Sequence, residues 1–162
     1  MIELTEDDLF DIHEKLDIDC TVSNQDLCLS QQVPVVVCYD LADLEDTPYH
    51  FKQVFHHRDT QMYFERMKDI CQGTIRDLFD IPYDWHFRRN DVKGNLIREL
   101  QKVNPDVVKG NPMIFHFALY TTPCGADRKK DIRSPRIYFM LGVNGMIYPL
   151  FFDPYHEINP QT

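Results

Sequence analysis

The dipeptide Asn144-Gly145 separates two runs, residues 136–143 and 146–153, that are apolar at nearly every position. Two residues of this kind accept positive φ and suit a type I′ turn, whose twist matches that of the strands it joins. The spacing therefore predicts two antiparallel strands in direct succession. Strands that are apolar on both faces need both faces covered, so this hairpin is expected in the middle of a sheet. Another strand is expected over residues 113–121, which completes an antiparallel meander.

The helical signals lie upstream. Met62, Tyr63, Met67, Ile70 and Cys71 recur at spacings of three and four within residues 59–79. Gly73 breaks that pattern, and Thr74 can start a second turn carrying Ile75, Leu78 and Phe79. Leu96, Ile97 and Leu100 mark a further helix, capped by Asn90 or Asp91 and ending near Asn104-Pro105. Thr5 and Asp8 form an imperfect capping box for a short first helix with the stripe Leu9, Ile12 and Leu16. Residues 33–39 read as a strand, with Pro34 placing it at an edge or a strand start. Residues 49–55 alternate weakly and read as another strand. The expected fold class is α+β: a β-meander with its C-terminal hairpin central, helices over one face, and an acidic N-terminal extension.

A chain of 162 residues is long enough for one core. The expected organisation is an extension, residues 1–46, packed on an α+β domain, residues 47–162, as one globular unit. The net charge of −9 is unevenly spread. Residues 1–46 hold 13 acidic side chains against one lysine, whereas residues 85–136 hold 11 basic against 5 acidic. The acidic arm is expected to lie partly on that basic segment, anchored by Leu9, Ile12 and Leu16. The overall negative charge argues against constitutive nucleic-acid binding, because long-range repulsion opposes encounter.

Other classes are excluded by what the sequence lacks. No apolar run approaches the roughly 18 residues of a membrane helix. The start is acidic and has no signal-peptide pattern, so a cytoplasmic protein without membrane contact is expected. The five cysteines, Cys20, Cys28, Cys38, Cys71 and Cys124, contain no C-x-x-C pair, so reduced thiols without zinc are expected. His56 and His57 are adjacent and would point about 100° apart on a helix. No phosphate-binding glycine loop, nucleophile elbow or H-E-x-x-H is present, and no cofactor or metal is expected.

Three constellations remain. Asp153, Pro154, Tyr155, His156 and Glu157 follow the last strand, where acid and base side chains can line a cleft. The alternative for this group is a turn made by Asp153-Pro154. Arg128, Lys129, Lys130, Arg133 and Arg136 form a basic stretch able to position phosphate. Trp85, His86, Phe87, Arg88 and Arg89 interleave aromatic and basic side chains, as single-stranded nucleic-acid binders do, or as a strand with buried aromatics and solvated arginines does.

Helices followed by antiparallel strands, a basic middle and a His/Tyr-bearing C-terminus resemble the RelE/ParE toxin superfamily. The resemblance covers residues 49–158, with residues 49–55 as its first strand. The ending Asp153-Pro154-Tyr155-His156 also resembles a D-P-x-H ending of uncharacterised prokaryotic and phage proteins. The toxin resemblance implies ribosome-dependent mRNA cleavage. In it Arg136 stabilises phosphate charge, His156 or Tyr155 acts as acid or base beside Asp153, and Arg88, Arg89, Arg128, Lys129, Lys130 and Arg133 hold RNA. Set against this is a non-enzymatic module that binds a protein partner. The lack of a catalytic signature makes that module the first expectation and RNA or the ribosome the alternative. Convergence of Arg128, Arg136 and His156 in one cleft would favour the RNA reading.

Overall fold

The computed structural model describes residues 33–42, 47–53, 55–81, 85–103, 105–110, 112–121 and 133–160. The expected first helix, most of the acidic extension and its docking, the basic residues Arg128, Lys129 and Lys130, and the thiols of Cys20, Cys28 and Cys124 lie outside the described residues. Cys38 and Cys71 are free thiols.

The hairpin forms around Asn144-Gly145. Asn144 has φ 54° and Gly145 φ 76°, the pair of left-handed residues that a type I′ turn requires. The Met146 amide closes the turn on the Val143 carbonyl at 3.1 Å. The strands it joins are β4, Arg136–Leu141, and β5, Met146–Asp153. β3, Ile114–Ala118, pairs antiparallel with β4 and completes the expected meander. β2, Arg88–Asn90, adds antiparallel to β3, and β1, Val36–Val37, adds parallel to β5. The order is β1-β5-β4-β3-β2, so the hairpin is interior.

β5 contains Pro149, which has no amide to donate to a ladder. Tyr138 pairs with Phe151 and Phe139 with Pro149, leaving Leu150 as the extra residue of a bulge. The bulge sets Leu150 and Phe151 on one face and returns Phe152 to the other.

Helices cover both faces, not one as the pattern suggested. α1, His57–Cys71, and α2, Ile75–Phe79, place Tyr63, Met67, Ile70, Ile75 and Leu78 against Phe115, Phe117, Phe139 and Phe152. α3, Gly94–Val103, places Leu96 and Leu100 against Ile114, Met140 and Phe151 on the second face. The physical reason lies in the meander itself. Its strands are apolar on both sides, and one helical layer would leave half of that surface in water. A further short helix, α4, Pro105–Lys109, follows α3.

The break between α1 and α2 falls where expected. Thr74 accepts from the Asp77 amide at 3.4 Å, and the Asp77 carboxylate accepts from the Thr74 amide at 2.7 Å, a reciprocal capping box. α3 starts later than expected, at Gly94, and Asn90 is drawn into β2 instead.

The strand expected over residues 49–55 does not form. Its described residues make turns. The segment crosses the edge of β5, where the Tyr49 carbonyl accepts from the Phe152 amide at 2.8 Å and the Gln53 amide group donates to the Phe152 carbonyl at 2.6 Å. Tyr49 packs on the α3 side and Phe51 and Phe55 on the α1 side. The weak alternation therefore reports a crossing from one core to the other.

Candidate functional site

On the second face the helical cover stops short. α3 lies over the Ile114–Met140 end, and the C-terminal residues lie over the other. There the side chains turn polar. Arg88, His116 and Tyr138 stand opposite one another across β2, β3 and β4, and Arg136 stands opposite Asp153 in the next row.

His116 is the centre of this group and is 5% exposed. Its ring centroid lies 5.2 Å from that of Tyr138 and 6.0 Å from that of His156. The Asn90 Oδ1 accepts from Asn159 Nδ2 at 3.2 Å and lies 2.8 Å from His116 Nδ1. An acceptor at that position fixes the imidazole proton on Nδ1 and leaves a lone pair on Nε2. Burial, then the positive charge of Arg136, His156, Arg88 and His86, push the imidazole down to about 3, so His116 is neutral at pH 7.

The surroundings are rich in donors. Asn90 is buried, and its Nδ2 meets no acceptor among the described residues. Buried donors nearly always have a partner, so an orphan within a functional cluster marks a place for an acceptor. Both His86 and His156 have left-handed backbone, at φ 49° and 59°. Such residues cost about 1–3 kcal/mol each and persist where the surroundings impose them.

Asp153 is fully buried and holds a turn. Its oxygens accept from the amides of Tyr155 at 3.3 Å, Glu157 at 3.0 Å and Ile158 at 2.8 Å. This is the turn-forming alternative. Desolvation raises its pKa, with the three amides pulling the other way. The clamp folds the C-terminal loop back, seats Ile158 in the core and carries His156 over His116. Arg136 is 5% exposed and donates to the carbonyls of Ser134 at 3.0 Å and Pro135 at 3.3 Å. It supplies positive potential from within.

The expected site residues thus divide. His156 lies beside His116, Arg88 stands opposite it and Arg136 shares its face of the sheet. Tyr155 turns away toward Arg133, whose guanidinium lies 5.6 Å from its ring. Arg133 is paired with the buried Asp59, which also accepts from the Tyr120 hydroxyl at 2.6 Å. Arg89 stands opposite Phe115 and so belongs to the other face from Arg88. His116 and Asn90 carry no motif. The one signal that pointed to them is a histidine at an alternating position inside an otherwise apolar strand. Among the described residues no group of three or more His, Cys, Asp or Glu side chains is placed to hold a metal ion, and no helix is long and apolar enough to cross a membrane.

Comparison of the chain with protein-family models, with curated proteins and with solved structures returns no match.

Proposed function

We propose that the chain binds a phosphate-bearing ligand, an RNA strand, at the end of the sheet around His116. The observation that carries this reading is the placement of Arg88 opposite the buried His116, with the His156 ring 6.0 Å from it and Arg136 on the same face of the sheet. The neighbouring carboxylate, Asp153, has its oxygens engaged by backbone amides. Two arginines and a histidine beside an orphan amide offer donors to an anion. Arg88 and His156 reach the ligand, and Arg136 adds field.

The test is anisotropy of a labelled single-stranded oligoribonucleotide with the full chain between about 50 and 200 mM salt. Affinity is expected to fall steeply with salt. Combining Arg88→Ala with His156→Ala should lower it about tenfold or more, and Arg89→Ala should change it less than about twofold. Equal effects of Arg88→Ala and Arg89→Ala would reject the site. Competition by inorganic phosphate alone, without RNA binding, would replace the strand by a small phosphate ligand.

A second reading, RNA cleavage as in the RelE-like toxins, rests on His156 beside Arg136, an acid/base group next to a fixed cation. It predicts 2′,3′-cyclic phosphate ends on mRNA incubated with translating ribosomes, lost in His156→Ala. Intact mRNA after prolonged incubation of the wild-type protein with translating ribosomes would leave binding alone. The protein-partner expectation is carried by a different surface.

A further inference from the structure

On the opposite face of the molecule, α1 and α2 meet the turn at Trp85 around a groove of about 240 Å³. Its floor is apolar: Ile70, Leu78, Ile81 and Trp85. Its rim carries Asp69, Asp77 and Asp80, and none of the described residues that line it is basic. Phe79, between the lining residues Leu78 and Asp80 at the end of α2, is half-exposed, 54% accessible. We propose that this groove docks a protein partner through a segment that presents a lysine or arginine next to an apolar residue.

Size, shape and charge point to this occupant. The volume is below the roughly 300–1,000 Å³ of pockets that enclose small ligands, and suits one long side chain. Arginine and lysine lay aliphatic stems on apolar surface and keep the cation at its border. The groove has that arrangement, with Ile70, Leu78 and Ile81 for the stem and Asp69 and Asp80 for the head. The C-terminal end of α1 borders it as well, and its carbonyls add negative potential in the last turn. Of the nearby cations, Arg66 is stacked on the Trp85 ring at 3.9 Å and Arg76 acts on Asp77 from α2. The acidic rim of Asp69, Asp77 and Asp80 attracts a basic side chain to this groove. Phe79 supplies the exposed apolar surface on which a neighbouring side chain would rest.

Trp85 is the sole tryptophan of the chain, so its fluorescence reports the groove directly. The experiment titrates the full chain with a blocked pentapeptide that has one arginine between two leucines. A control peptide replaces the arginine by citrulline, which keeps shape and loses charge. Asp77 is left alone because it caps α2. The test variant combines Asp69→Asn with Asp80→Asn, both exposed positions, and its thermal unfolding is compared with wild type. The arginine peptide is expected to shift the emission saturably. Its affinity should fall at least about fivefold for citrulline, for the double variant and at high salt. No saturable shift, or equal binding of the two peptides, would overturn the proposal. Undiminished binding by the folded double variant would overturn it too. Sedimentation showing a dimer of the chain that the double variant loses would assign the groove to a second copy instead.

Discussion

His116 shows how one buried side chain couples charge to stability. Its folded-state pKa, about 3, lies below the ordinary histidine value of about 6.5. The unfolded chain therefore binds a proton in a range where the folded chain does not, and stability falls with pH from about 6.5 toward 3. The His116 contribution to that loss is on the order of 3 kcal/mol between pH 6.5 and 4. Asp153 acts in the opposite direction, because its raised pKa favours the folded state as pH falls. Urea unfolding at pH 7 and pH 4 should show a smaller pH loss in His116→Gln than in wild type. Parallel losses in the two proteins would contradict a neutral buried His116. Asp59 is a second such case. It is fully buried, pairs with Arg133, accepts from Tyr120 and caps α1 through the His56 amide at 3.0 Å. Removing one partner of a buried pair leaves the other charge unpaired, so Asp59→Ala should destabilise by about 3 kcal/mol or more. A change in the urea midpoint worth less than about 1 kcal/mol would mean that Arg133 re-pairs with solvent.

The elements are held by local chemistry and by what crosses between them. The β4–β5 turn sits under the chain that leads into β1. A Cβ on Gly145 would lie 2.7 Å from the Pro34 carbonyl oxygen, and the Val36 amide donates to the Gly145 carbonyl at 2.9 Å. Gly145→Ala therefore meets both a left-handed backbone and a blocked approach, and should cost about 2 kcal/mol in chemical denaturation. Asn144→Gly, which keeps the turn and adds no contact, is the control and should cost less than half of that. At α2 the capping box makes Thr74→Ala worth about 1 kcal/mol. Loss of that cap should also move Trp85 emission, since α2 forms one wall of the groove. β2 shows a different device. It is an edge strand whose Arg88 and Arg89 are exposed, and charged edges resist pairing with another chain.

At the scale of the molecule, one sheet serves two cores. The α1 side is built on aromatic packing, such as Phe55 on Phe152 with centroids 3.8 Å apart and Phe87 on Phe115 at 5.3 Å. The α3 side is smaller and yields to the polar cluster around His116. Because β3, β4 and β5 belong to both cores, the described residues should unfold together. Amide exchange should be slowest in β4 and the centre of β5, and faster in β2 and at β1, which are short edges. Protection in β2 equal to that in β4 would contradict this. The two surfaces of opposite sign, cationic at His116 and acidic beside Trp85, lie on opposite sides of that sheet, so binding at one leaves the other accessible.

What could be read from the sequence alone was what neighbours along the chain decide. Asn144-Gly145 dictates its turn because only residues tolerant of positive φ fit there. Thr74 and Gly73 mark the α1–α2 break because a cap and a helix stop act within one turn. Apolar strands announce a covered sheet. The expected strand over residues 49–55 failed because its side chains answer to two cores at once, which a period of two imitates. Helices on both faces, the parallel β1 and the bulge at Leu150 depend on pairings between distant segments. The same holds for the site. Arg136 and His156 were visible as chemistry, but His116 and Asn90 were visible only as polar residues among apolar ones. Register across β2, β3 and β4 and the loop fold imposed by Asp153 bring them together. Those are contacts that the local backbone preferences of no single segment encode.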